Sequence, residues 1–183
     1  DLVDKSLVAL NDNGRYDIHE LLRQYAFSKL ELSEQTESVK ARHLAFYLKT
    51  LMPRMEAGIH MRNQIQSLNT IEADFDNIRQ AWDYAIAIHD FEGLNMAVEA
   101  LGLFSDMRNR FAQGSPMLKS ATDEACTHIP ESLIWARLQT RLIRVLMLGM
   151  VGFSDYNPEV ETTKALRIAE EHGDLFEIGY SCH

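Results

Sequence analysis

Residues 68–88 read Leu68-Asn69-Thr70-Ile71-Glu72-Ala73-Asp74-Phe75-Asp76-Asn77-Ile78-Arg79-Gln80-Ala81-Trp82-Asp83-Tyr84-Ala85-Ile86-Ala87-Ile88. Apolar side chains fall at Leu68, Ile71, Phe75, Ile78, Trp82, Ala85 and Ile88, at intervals of three and four throughout. That spacing brings each of them back to one side of a 3.6-residue turn, so the stretch predicts a single amphipathic α-helix. The flanking sequence repeats the pattern. Upstream, Val39, His43, Phe46, Tyr47 and Leu51 share a helical face, and Pro53 is expected to kink that helix or end it near Met52, before a connection over 58–63. Downstream, Leu94, Ala97, Val98, Leu101 and Phe104 mark the buried face of a helix over about 91–107. Another is expected over about 112–128, with Ser115-Pro116 near its start, where a missing N–H costs little.

Residues 131–151 are apolar nearly all round except for Arg137, Arg141 and Arg144, which predicts a helix covered on several sides. Asn157-Pro158-Glu159 supplies a cap, a first-turn proline and a first-turn acid, and Gly173 is placed to end that helix. One more helix begins near Asp174 and is cut off by the end of the sequence. The pairs 91–128 and 131–172 have similar lengths, and Lys119-Ser120-Ala121 loosely matches Thr163-Lys164-Ala165 at an offset of 44 (165 minus 121). Two helices per unit at such an offset predict an α-solenoid of antiparallel pairs, the alternative being an irregular bundle with chance spacing.

Only the N-terminus departs from the helical period. Ser6 to Leu10 and Arg15 to Ile18 flank Asn11-Asp12-Asn13-Gly14, whose residues tolerate the positive φ of tight hairpins. A lone hairpin is marginal, so it needs helices or a further strand to lie on. From His19 a helix is expected to about Leu32, with Leu21, Leu22, Tyr25, Ala26 and Leu30 as its stripe. Ser33 is expected to cap the helix that follows, with Glu34 and Glu37 in its first turn. The expected class is therefore all-α with one short N-terminal β-hairpin.

The composition narrows the function. Hydrophobic residues make up 46% and charged residues 25% of the 183, enough for a packed core. Acids outnumber Lys plus Arg by 27 to 18, a net charge of -9 that argues against general nucleic-acid or anionic-membrane binding. The longest run free of polar residues, 145–153, is far short of a bilayer span of roughly 20 residues. Two distant cysteines, Cys126 and Cys182, make no disulfide framework and fit a reducing, cytoplasmic compartment. With no initiator Met and no signal layout at Asp1-Leu2-Val3-Asp4-Lys5, the chain reads as a piece of a longer protein.

Two stretches carry a resemblance: residues 2–8, and Arg15-Tyr16-Asp17-Ile18-His19-Glu20-Leu21-Leu22-Arg23-Gln24-Tyr25-Ala26. They resemble the end of the winged-helix domain in STAND (NB-ARC-type) signal-transduction ATPases, bacterial regulators in which a nucleotide-binding core precedes tetratricopeptide-like repeats. Ile18-His19-Glu20 matches the family's Met-His-Asp motif at the central histidine and departs conservatively at the other two positions. Residues 71–82 look like the helix that leads into the repeats of the bacterial members. The resemblance covers about residues 1–128. It implies that His19 contacts the β-phosphate of ADP in the closed state of a parent protein that binds ATP or ADP. The parent's own nucleotide-binding domain is thus an implied partner. No Gly-x-x-x-x-Gly-Lys-Ser/Thr stretch occurs in this sequence, so no cofactor is expected on these residues themselves.

Each candidate site residue has a plainer reading. His19 can donate to a phosphate oxygen, or it can be a helix-start histidine packed under the hairpin. Arg137, Arg141 and Arg144 form one face, either a basic stripe for an acidic partner or a solvated face paired with acids of adjacent helices. Arg108-Asn109-Arg110 reads as a helix–helix corner, and Glu72, Asp74 and Asp76 as solvated acids. The seven histidines show no metal spacing, and Cys126-Thr127-His128 reads as a chance adjacency. Trp82, Trp135 and Tyr84 read as core or groove residues.

The expected organisation is the C-terminal part of a winged helix at 1–32, a connecting helical segment at 33–90 and tetratricopeptide-like repeats at 91–183. The expected role is non-catalytic: a regulatory, protein-interaction region of a nucleotide-dependent switch, by resemblance a bacterial transcriptional regulator. Its repeats receive an unidentified protein or small-molecule effector, with no direct nucleic-acid, membrane or metal partner. The alternatives are a standalone helical enzyme with a carboxylate and histidine cleft, and an independent winged-helix DNA-binding module.

Overall fold

The computed structural model describes residues 2–5, 7–10, 16–150 and 157–182. Two short strands, β1 (Val8–Leu10) and β2 (Tyr16–Ile18), pair antiparallel with Val8 opposite Ile18 and Leu10 opposite Tyr16. The expected turn, residues 11–14, lies outside the described residues, as do Ser6 and Arg15. Ten α-helices follow among the described residues: α1 (Glu20–Glu31), α2 (Thr36–Phe46), α3 (Met52–Ile59), α4 (Gln64–Ala73), α5 (Phe75–Ala87), α6 (Phe91–Met107), α7 (Phe111–His128), α8 (Leu133–Gly149), α9 (Pro158–His172) and α10 (Leu175–Ser181). The described residues are all-α apart from the hairpin. They fall into two compact units, residues 1–41 and 42–183.

In the first unit the hairpin leads into α1, which buries none of its residues and leaves Leu21, Tyr25 and Phe27 more than half exposed. In the second, one apolar cluster runs from Leu44 to Ile168. There α6 packs on α3, α5, α7 and α8, while α8 packs on α7, α9 and α10, so helices two apart in sequence touch as well as consecutive ones. The predicted face of α6 holds, with Leu94, Ala97, Val98, Leu101 and Phe104 buried, but of the upstream face read as Val39, His43, Phe46, Tyr47 and Leu51 none is buried: Leu44, Leu48 and Met52 take that place, and Phe46 and Ile88 are exposed. In α8 burial extends over nearly the whole circumference from Trp135 to Leu146.

A period emerges at the helix starts. Asp90, Ser132 and Asp174 are the N-caps of α6, α8 and α10, successive positions 42 residues apart. Each side chain accepts a backbone N–H: Asp90 from Gly93 at 3.0 Å, Ser132 from Trp135 at 3.1 Å, Asp174 from Phe176 and Glu177, both at 3.1 Å. Such caps are worth about 0.5–2 kcal/mol each. The helices that precede these starts share a motif too. Ala81 and Ala85 of α5, Ala121 and Ala125 of α7, and Ala165 and Ala169 of α9 are all fully buried. Asn157 and Gly173 bound α9 as read from the sequence, Gly173 at φ +66°, which suits a residue without Cβ.

Several expectations need correction. The stretch 68–88 is two helices, broken at Asp74, whose backbone ends α4 and whose carbonyl oxygen accepts from Ile78 N at 2.9 Å to start α5. Pro53 neither ends nor interrupts its helix: a π-turn, Tyr47–Leu51, joins α2 to α3, and Pro53 falls at the start of α3, where its missing N–H is absorbed. Pro116 lies inside α7, six residues in, and deprives the Ala112 carbonyl of its helical donor. Ser33 does not cap α2, which begins at Thr36; its Oγ donates to the Leu30 carbonyl at 2.7 Å and accepts from Gln35 N.

Candidate functional site: a charged groove across four helices

The 42-residue period places Asn95 and Glu99 of α6 at the same positions as Arg137 and Arg141 of α8. They meet side to side. Arg137 Nη1 donates to Asn95 Oδ1 at 3.2 Å, and Arg141 Nε donates to Glu99 Oε2 at 2.7 Å. From α10, Glu177 accepts from Arg141 Nη1 and lies 3.3 Å from Arg137 Nε. Arg137 Nη2 also donates to Asp174 Oδ2 at 2.8 Å, so the residue that caps α10 also ties it to α8. Gly102, one turn beyond Glu99, makes room for this: a Cβ there would lie 3.1 Å from Arg141 Cγ.

Arg141 is 2% exposed and Glu177 1%, so their charges survive only because they are matched. Burial opposes the Arg141 charge, but the Glu177 hydrogen bond and the Glu99 and Glu177 carboxylates outweigh it and hold its pKa above the ordinary value. The Arg141 guanidinium also stacks over the Tyr180 ring, 3.9 Å from its centroid. Burial pushes the Tyr180 phenol up to about 12, against the pull of Arg141. The open side of the network is a cavity of about 380 Å³ reached by Glu56 of α3, Asn95, Glu99, Arg137, Arg141 and Phe176. Burial and the nearby Glu99 charge raise the Glu56 carboxyl above its ordinary value. With Glu177 the cavity gathers three carboxyl groups around two guanidiniums, so it holds one negative charge in excess when all are ionised. It can accept a cationic group; it shows no nucleophile paired with a base among its lining residues.

The arginine stripe is therefore paired with acids of adjacent helices, as one reading had it, but at Arg141 it is not solvated. Arg144, the most exposed of the three, donates to Asp106 Oδ2 at 2.7 Å. Arg108 and Arg110 form the expected corner, donating to Asn69 and Glu72 of α4. Asp76 is solvated, whereas Asp74 is buried and accepts from Asn77 Nδ2 at 3.2 Å. Trp82 and Trp135 are core residues, and Trp82 Nε1 donates to the Met117 carbonyl at 3.0 Å. Cys126 is a free, exposed thiol; His128 faces His89 and Glu124. His19 is exposed and caps α1, its Nδ1 accepting from Leu21 N at 3.3 Å, so it is not packed under the hairpin.

Sequence reasoning missed Glu56, Glu99, Glu177 and Tyr180. The signal for Glu99 was present in the register, since Asn95/Arg137 and Glu99/Arg141 share one offset. No helix among the described residues is long and apolar enough to cross a membrane. Comparison with known proteins yields no match to any family model, curated protein or solved structure.

Proposed function

We propose that this chain is a non-catalytic regulatory region in which helical pairs of tetratricopeptide type present a groove to a protein or small-molecule effector. The observation that carries the reading is the recurrence of helix caps at 90, 132 and 174, with groove residues recurring in the same register at 95 and 137 and at 99 and 141. Stacked helix pairs repeat one inner face along the array and so build a binding surface from equivalent positions. The excess carboxyl at Glu56 favours an effector with an amine or guanidinium group.

The resemblance at residues 15–26 extends the proposal to a cytoplasmic, nucleotide-dependent switch of the STAND type, with the nucleotide core outside these residues. Two features support it. His19 is exposed at a helix start, where its Nε2 is open to a phosphate oxygen. The unburied apolar residues of α1 mark a face that the remainder of a winged helix would cover.

The chain itself should neither bind ATP tightly nor hydrolyse it, which calorimetric titration with ATP and Mg²⁺ checks. In a parent carrying the nucleotide core, His19→Ala should speed ADP release roughly tenfold to hundredfold, the equivalent of about 1.5–3 kcal/mol for a hydrogen bond to a charged group. An unchanged release rate would remove the switch reading. Glu56→Gln should weaken effector response without changing nucleotide affinity; a parallel loss of both would remove the groove reading.

A further inference from the structure

Away from the groove, the turn between α5 and α6 brings His89 against the last turns of α7. His89 Nε2 lies 2.9 Å from Glu124 Oε1, and His128 Nδ1 lies 3.3 Å from the same oxygen. The two imidazole centroids are 4.1 Å apart, and one ring nitrogen from each histidine and a carboxylate oxygen all fall within 4.8 Å of one another. We infer that His89, Glu124 and His128 form a binding site for a divalent transition-metal ion of the zinc class.

The geometry supports the inference at three levels. Glu124 and His128 are four residues apart on α7, a spacing that puts both on one helical face. Zinc–nitrogen and zinc–oxygen bonds of about 2.0–2.2 Å in a tetrahedron require ligand atoms about 3.3–3.5 Å apart; the two histidine-to-carboxylate separations, 2.9 and 3.3 Å, are near that, and the three ligand atoms lie within 4.8 Å of one another. The third ligand is held in place. His89 sits at φ +57°, a conformation that costs a non-glycine residue, and its backbone is fixed there by His89 N to the Ile86 carbonyl at 3.1 Å and Asp90 N to the Ala85 carbonyl at 2.9 Å. The Phe91 ring stacks parallel to the His89 ring, with 8° between their planes, and sets its orientation.

The ligand set selects the ion. Two imidazoles and one carboxylate suit zinc and its neighbours; calcium and magnesium demand oxygen, and copper(I) prefers sulfur. All three side chains are partly exposed, so an ion can enter and a fourth position stays open to water. Bound, it would fasten the turn before α6 to the end of α7.

The test is titration of the chain with Zn²⁺, followed by calorimetry and thermal melting, with Mg²⁺ as the control. One zinc per chain is expected, with a dissociation constant tighter than about 10 μM. His89→Gly is the informative variant: glycine accepts the positive φ, so the metal-free protein should melt at least as high as the parent while zinc affinity falls about tenfold or more. His128→Gln should lower affinity comparably without touching the turn. Co²⁺ should give the visible bands of a nitrogen and oxygen site with no thiolate charge transfer. Binding that persists in the His89→Gly, His128→Gln double variant, no binding tighter than about 10 μM, or a thiolate band from Cys126 would each overturn the assignment.

Discussion

Helices α1 and α8 both carry apolar residues at helical intervals, yet α1 buries nothing and α8 buries ten of its seventeen residues. The difference lies in what surrounds them. Helix α8 is packed by α6, α7, α9 and α10, and even Arg141 of its arginine stripe is drawn inside because Glu99 and Glu177 arrive from two of those neighbours. An apolar stripe records that a helix needs a partner; whether the partner is supplied is decided elsewhere in the chain.

The largest effect should come from the buried charges. Arg141→Ala leaves Glu177 and Glu99 without their cation and should destabilise the chain by about 3–5 kcal/mol, measured by urea unfolding. A loss under about 1 kcal/mol would mean that the two carboxyls take up protons instead, and would erase the contrast with α1. The second effect appears in alkali. Tyr180 holds its proton more tightly folded than unfolded, so its contribution to stability is intact below its ordinary value of 10.0 and is lost as pH rises towards about 12. Ultraviolet titration of the six tyrosines should show one ionising near that upper value, and Tyr180→Phe should abolish that phase. Ser132→Ala, which removes the middle cap, should cost about 1 kcal/mol. Smallest of all, Tyr25→Ser in α1 should change stability by no more than about 0.5 kcal/mol in the same unfolding assay; a larger loss would show that α1 is partnered in solution.

Much of the fold was legible because local chemistry reports on local structure. The bounds of α6, the cap at Asn157, a helix start near Asp174 and the terminating Gly173 follow from residue type alone. The break at Asp74 did not, because it removes no residue from the apolar rhythm, so Leu68, Ile71, Ile78 and Trp82 stay in phase across it. Pro53 misled for a related reason: a slip in backbone hydrogen bonding over 47–51 leaves no mark on side-chain pattern. The groove was half legible. Its arginines stand out on an apolar helix, but their acids lie 36 and 42 residues away, beyond the reach of any local spacing rule. His89 and Glu124, 35 residues apart, were hidden in the same way.

The spacing of Asp90, Ser132 and Asp174 also makes the chain divisible. Excising residues 91–132 in frame would set Leu133 directly after Asp90, with the Trp135 amide where the Gly93 amide now meets the Asp90 carboxylate. Arg137 would inherit the place of Asn95, and Arg141 that of Glu99. A cap, a first turn and a row of groove positions would be restored in one cut, because the same length of chain separates equivalent atoms in both units. By the same reasoning a duplicated segment could be inserted at that seam, lengthening the groove by one more rung without requiring a new kind of turn.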